Sequence, residues 1–566
     1  MRNALRAAVT LLVGLSAAQA ETPADFVLRN GKVYAADPAR SIRSAFAVRG
    51  NTIAAVGDDE AMKPLIGPQT RVVDLGGKFV MPGLIDAHSH PVIGAVNAAK
   101  CSLAGVKPTL QEITPVIRKC LAERPGGPDA WLEVVQLYNY GFDASAKDID
   151  TVEATRPLAI VGNDGHTMWM NTRGLALAGI TAKTPDPQGG RILRDATGAP
   201  TGVLTDAALI GPSKLLPIPT TAEMADLLEK TIKGMNATGL TAVTDAALTP
   251  VEFAVFEKLY REGRLKVRVR GAHFIEDLSD DSDAAVAKIV SATRSETLDP
   301  AWLRADSVKV FADGVLEFPA QTAAVLKPYL DANGKPTATI GDLYFEPKPF
   351  NSLITKLDKA GLTVHVHAIG DRAVRASLDA FAAARAANGA RDNRHQIAHL
   401  QLVDPADFAR FAELGVIANV QFEWGKRDAS NVGPLEPYLG PERYRYLYPY
   451  GSLRAAGALV AAGSDWDISP YDPFIAMEVG ATRRDRGKDA QTLNIEERLS
   501  VADMLAGYTI NAAAAMRMDD IVGSIEPGKR ADFVILDRDP LAIDPSTLRN
   551  TKVLATYVDG KVVHEQ

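Results

Sequence analysis

Short apolar runs alternate with amphipathic helical stretches through the middle of this chain, and no other feature limits its fold so strongly. Eight such runs can be picked out, at 79–88, 241–245, 267–274, 308–313, 362–367, 396–400, 416–421 and 459–465. Helical segments such as 221–238, 350–360 and 372–387 fill the gaps. Strands separated by helices pair in parallel, and eight such units are what a (β/α)8 barrel requires. The gap after the first strand is too long for one helix. Residues 95–235, with Pro185-Asp186-Pro187 and Gly189-Gly190, are therefore expected to form an insertion with its own structure. The two ends have a different texture. Phe26-Val27-Leu28, the turn Asn30-Gly31 and Lys32-Val33-Tyr34 read as a hairpin. So do Val553–Val558, Asp559-Gly560 and Lys561-Val562-Val563 at the far end. The ends are candidates to pair into one β-sandwich. The expected division is 21–78 and 516–566 for the sandwich, 79–94 and 236–515 for the barrel, and 95–235 for the insertion.

The 566 residues carry a formal charge of −7, and their 46% hydrophobic content is ordinary for a soluble protein. An acidic chain without a run of Lys or Arg argues against nucleic acid as a partner. The first twenty residues read as a secretory signal peptide. Arg2 and Arg6 precede an apolar stretch from Ala7 to Ala17, and Ala18-Gln19-Ala20 is a cleavage tripeptide. Export to the periplasm or medium follows, and losing Arg2 and Arg6 takes the charge to −9. The mature chain has no run long enough to span a membrane. Cys101 and Cys120 are then either a disulfide or two buried thiols; their spacing matches no zinc motif.

The chemistry gathers at strand ends. In His88-Ser89-His90 the two imidazoles lie at i and i+2 on a strand and project from one face, which suits Zn²⁺ or a similar ion. Barrel enzymes keep their sites at the C-terminal ends of the strands. Lys309 lies within an apolar strand, where a lysine prefers its neutral amine. The alternative for Lys309 is an ion pair with Asp313 on the same strand face, or with Glu317. His365 and His367 share one face of the fifth strand, and His399 and Asp465 end the sixth and eighth. An Asp at a strand end is otherwise often a helix cap.

The run Met81-Pro82-Gly83-Leu84-Ile85-Asp86-Ala87-His88-Ser89-His90 resembles the opening metal motif of the amidohydrolase superfamily. The tail from Gly523 to Val534 resembles its closing sandwich strand. The likeness covers nearly all of the chain after about residue 25 and is nearest to amidohydrolase family 3, with its N-substituted formamide deformylase-like members. It implies a dinuclear site, with zinc the expected metal, built from His88, His90, Lys309 as a carbamate bridging two ions, His367, His399 and Asp465. His365 would sit one layer deeper, packing or supporting the ligands. Asp465 would also shuttle the proton while metal-activated hydroxide attacks an amide-type C–N bond of a small molecule. Two positions depart from the family pattern: Ala398 stands where an acid often precedes the sixth-strand ligand, and Gln421-Phe422 where a Gln-Pro pair is common.

For substrate contacts the candidates are Asp164, His166 and Trp169 from the insertion, with Trp424 and Trp466 from the barrel loops. The stretch Asn163 to Asn171 is open to a second reading, a turn stabilised by Asp164 and Asn171. Rival functions are a mononuclear deaminase, a cyclic-amide or ester hydrolase, and a non-catalytic periplasmic metal- or solute-binding protein. A homo-oligomer is left open. There is no phosphate-binding Gly-Lys loop and no serine nucleophile elbow.

Overall fold

A computed structural model describes residues 22–187, 189–487 and 490–566, so the leader-like segment lies outside the described residues. Eight parallel strands form the central sheet: β1 (Leu84–Ser89), β2 (Leu240–Leu248), β3 (Arg268–Phe274), β4 (Leu303–Phe311), β5 (Thr363–Ala368), β6 (Gln396–His399), β7 (Ile417–Val420) and β8 (Val460–Ala462). They are hydrogen-bonded in chain order from β1 to β8, each pair parallel. Val308, Val310, Val364, Val366 and Ile397 are all fully buried, as expected of strands covered by helices. The barrel is nearly closed. At its mouth, beyond the end of β8, the Asp465 N–H donates to the His88 carbonyl (2.7 Å) and the His90 N–H to the Trp466 carbonyl (2.7 Å). Gly463 is required at this seam, because a Cβ there would lie 2.6 Å from that of His88.

The first apolar run is not one barrel strand as the sequence suggested. It breaks at Gly83, where a Cβ would fall 2.2 Å from the Thr241 hydroxyl and the N–H donates to the Asp532 carbonyl (3.0 Å). Before the break, Phe79–Pro82 belongs to the sandwich and pairs antiparallel with Phe533–Leu536. The two chain ends thus share one six-stranded sheet. A four-stranded sheet built from Phe26–Arg29, Ala45–Arg49, Thr52–Gly57 and Arg71–Asp74 faces it. Leu28, Phe46, Val80, Phe533 and Tyr557 fill the space between them. The fully buried Arg268 of β3 pairs with Asp532 at 2.7 Å and ties barrel to sandwich.

The insertion carries its own six-stranded sheet, with Cys101–Ser102 at one edge and Gly190–Arg194 at the other. Cys101 and Cys120 are disulfide-bonded, joining that edge to the helix Leu110–Glu123. The expected boundaries shift at both ends. The helix Thr221–Ala237 opens on a Thr220/Glu223 capping box and turns Met224, Leu228, Ile232 and Met235 into the barrel core. With Pro91–Asn97 it belongs to the barrel's outer layer, so the insertion proper runs from Ala98 to Pro219. A second excursion, residues 312–346, follows β4 and has no regular helix or strand of its own. Asp313 pins it. Its carboxylate accepts N–H groups from Ala324 (2.8 Å), Ile369 (2.9 Å) and Gly370 (2.9 Å), so Asp313 is neither on the strand nor the ion-pair partner of Lys309.

Candidate metal centre

The ends of β1, β4, β5, β6 and β8 bring His88, His90, Lys309, His367, His399 and Asp465 to one mouth of the barrel. Asp465 is the hub. One of its oxygens lies 3.4 Å from His88 Nε2 and 3.2 Å from His90 Nε2, and the other 3.9 Å from His399 Nδ1. One donor atom each from His88, His399 and Asp465 fit within 4.8 Å of one another. Lys309 Nζ is 3.4 Å from His88 Nε2, and the His367 ring is 4.5 Å from that of His399. His399 (φ 78°) and Asp465 (φ 55°) both adopt left-handed backbone, which costs of order 1–3 kcal/mol each. Barrel register and the β8–β1 seam hold them there, and the strain aims both side chains at the centre.

A layer behind, other groups set the donors' orientation. Gln421 Oε1 is 3.0 Å from His399 Nδ1, so the Nδ1–H tautomer leaves Nε2 free to bind a metal. His365 Nε2 is 2.9 Å from His88 Nδ1, which is the deeper supporting place expected of it. Trp424 lies flat on the His399 ring, with centroids 5.3 Å apart, and its indole N–H donates to Ser469.

Burial dominates the electrostatics. It holds His88 and His367 well below the usual imidazole range and takes His399 down to about 3. Burial also brings the Lys309 ammonium down to about 7. For Asp465 burial acts upward, but its bonds to His88 and His90 outweigh it and hold the carboxylate well below its ordinary value. His90 is raised, because the same bond outweighs its own burial. The cluster thus gathers imidazoles that burial holds toward their neutral form, a lysine whose ammonium is weakened, and one carboxylate. That donor set matches Zn²⁺ and its neighbours.

The profile of the Amidohydrolase family matches residues 71–564. The chain belongs to that family. Membership makes it a hydrolytic enzyme. Protein LONG AFTER FAR-RED 3 of Arabidopsis thaliana is 32% identical over 96% of this chain and 92% of its own length. N-substituted formamide deformylase of Arthrobacter pascens is 28% identical, with 96% and 98% covered. In fold, the chain is similar to an uncharacterized metal-dependent hydrolase from Pyrococcus horikoshii, with TM-score 0.70, 23% identity, and 92% and 99% of the two chains covered.

In this amidohydrolase the cluster opens into a cavity of about 930 Å³ between barrel mouth and insertion. Asp164, His166 and Trp424 line it. The His166 ring is 5.4 Å from His367, and its Nδ1 is 2.7 Å from Asp206, which outweighs burial and raises the imidazole to about 9. Asp164 also anchors its turn, accepting the N–H groups of His166 (2.9 Å) and Thr167 (3.1 Å). Asn171 caps the next helix, so the structural reading of that stretch holds alongside the cavity position. Two expected contacts are corrected. Trp169 packs against Phe142 in the insertion core, because strand neighbours face opposite ways and Met168 takes the cavity side. Trp466 lies against Gly94 and Tyr471 rather than on the cavity wall. Asp206 had no local signal in the sequence, since the insertion sheet alone brings it to His166.

Proposed function

We propose that this amidohydrolase is a metal-dependent hydrolase that cleaves an amide-type C–N bond in a small molecule. The observation that carries the reading is the convergence of four imidazoles, a buried lysine and a carboxylate at the base of one large cavity. A relative named for deformylating N-substituted formamides supports a C–N bond. His88, His90, Lys309, His367, His399 and Asp465 would hold one or two divalent ions, with zinc the best match to the donors. When bound, such an ion supplies a Lewis acid for the scissile carbonyl and an acidified water.

The chain's own groups do the rest. Asp465 takes a proton from the attacking water as its oxygen bonds to the carbonyl carbon, and returns it to the nitrogen as the C–N bond breaks. The Lys309 amine, whose ammonium burial brings down to about 7, would combine with CO2 to give a carbamate, releasing a proton, and the carbamate oxygens would then be available to hold metal. His166, its Nδ1 held by Asp206, would hydrogen-bond the substrate through its other ring nitrogen.

The tight His88/His399/Asp465 group favours a second reading, in which one ion suffices and the chemistry is deamination or cyclic-amide opening. Metal-to-protein ratio measured with turnover on one preparation separates the two. A ratio near one that Lys309→Ala leaves unchanged rejects the bridged pair; hydrolysis that persists after complete chelation rejects metal dependence. We also propose export, supported by the Cys101–Cys120 disulfide and the leader-like first twenty residues. Intact mass of secreted protein beginning at Glu21 is expected, and retained Met1 would reject cleavage.

A further inference from the structure

The cavity above the metal centre is sharply unbalanced in charge. Among the described residues, eight carboxylates and three lysines line it, and no arginine does. None of the lysines is free to meet an anion. Lys100 pairs with Glu133 at 2.7 Å. Lys426 is held by Glu423, Asp428 and Asp485. Lys309 is fully buried among the metal-site histidines. The one imidazole the insertion contributes, His166, has its Nδ1 held by the Asp206 carboxylate.

The carboxylates are not matched in the same way. Glu317, on the excursion after β4, has one side-chain hydrogen bond, from Gln401 (2.8 Å), and no ion-pair partner among the described residues. Asp467 accepts only the Asn97 amide (3.0 Å). Around these groups the rim is greasy. Ile218 is 69% exposed, Val251 50% and Ile93 48%, and all three line the cavity, as do Phe318 and Ile468. Such side chains at a mouth cover apolar surface when a ligand enters, at roughly 25 cal/mol per Å² removed from water.

We infer that the cavity selects amides whose distal part is large and apolar and is neutral or cationic, and that it rejects substrates bearing a distal carboxylate, such as N-acyl amino acids. Glu317 is the specificity-determining group in this scheme, a carboxylate on the cavity wall whose only side-chain partner among the described residues is the Gln401 amide. A ligand carboxylate would be desolvated beside it with no lysine or arginine free to answer. A ligand ammonium would find a partner there. The inference rests on the amide reading for its choice of substrates, but the charge preference belongs to the cavity whichever bond is cut.

Three N-acetyl-4-phenylbutylamines, bearing a ring methyl, aminomethyl or carboxylate group, provide the test, with the corresponding esters and uncleavable methyl ketones beside them. On the metal-loaded enzyme, kcat/KM for the carboxylate compound is expected to be lower than for the aminomethyl compound by a hundredfold or more, mostly through KM. The ketones, followed by calorimetric titration, are expected to bind in the same order without turnover. Glu317→Gln should narrow the gap at least tenfold while leaving the metal content and the melting temperature near those of the parent. Cleavage of esters but not amides would overturn the amide reading and leave the charge order to be read from esters and ketones. A carboxylate ketone that binds as tightly as the aminomethyl one overturns the inference. So does a gap that Glu317→Gln leaves unchanged while the protein keeps its metal and melting temperature.

Discussion

The barrel mouth and the insertion above it meet at one cavity, yet they are built on opposite principles. At the mouth, each functional side chain stands at the end of a buried strand, and two of them are held in left-handed backbone by the strands around them. The insertion's groups sit on a separate sheet closed by a disulfide, and its contact with the chemistry comes through His166 and its partner Asp206. Rigid strand ends suit groups that must meet reacting atoms within tenths of an ångström. A separately stabilised cap can vary its lining without disturbing them. Changes in the barrel should therefore act on kcat and metal, and changes in the insertion on KM and stability.

The sharpest way to break that division is Asp465→Asn. The asparagine keeps an oxygen for a metal but cannot carry a proton, so kcat is expected to fall by about 10²–10⁴ with metal content retained. Turnover and metal analysis on the same sample check it; near-parental kcat with full metal would remove Asp465 from proton transfer. The next effect is on pH. Burial takes His399 to about 3, and His88 and His367 also lie well below their ordinary value. Above about pH 6.5 these rings are neutral whether the chain is folded or not. As pH falls below that, the unfolded chain binds protons the folded one refuses, so stability drops until the folded pKa values are passed. For each ring the loss is about 1.4 kcal/mol for every pH step of one across that window. The melting temperature of metal-free protein should fall from pH 6.5 toward 3, and His399→Gln should make the fall shallower. An identical slope in the variant would contradict the burial argument.

In the insertion the effects are expected to be smaller and of another kind. Replacing Cys101 and Cys120 by Ser should lower stability by roughly 3 kcal/mol through the freed loop, seen as earlier thermal unfolding, with kcat unchanged. A fall in kcat would mean that the cap and the barrel are not separable. If His166 contacts the substrate as proposed, His166→Asn costs about 1 kcal/mol of binding and raises KM several-fold. If instead metal is lost, His166 belongs to the metal centre.

The same division governs what can be read from the chain. Barrel strands are legible because apolar runs of fixed period alternate with amphipathic helices, and the His88/His90 pair because its geometry is shown within three residues, whereas Lys309, His367, His399 and Asp465 enter the candidate set through the family resemblance. The break at Gly83 is hidden, since Phe79–Pro82 and Leu84–Ser89 are equally apolar and only the close approach of Thr241 separates them. The insertion is opaque for a deeper reason. Its sheet mixes parallel and antiparallel pairs, so which face of Thr167–Met170 meets the cavity depends on long-range register. That register turns Trp169 away from the cavity and brings Asp206 to His166, and neither outcome is written in the neighbouring residues.

The seam at the barrel mouth has a consequence for the order in which the molecule comes to life. His88 and His90 leave the ribosome early, Asp465 late, and the strand that precedes the two histidines waits longer still for Phe533–Leu536 to lie beside it. A half-made chain thus holds two histidines on an unclasped edge and no carboxylate to meet them. The clasp between Asp465 and His88 joins the first members of the cluster to the last, so the cluster is complete only when the ring shuts.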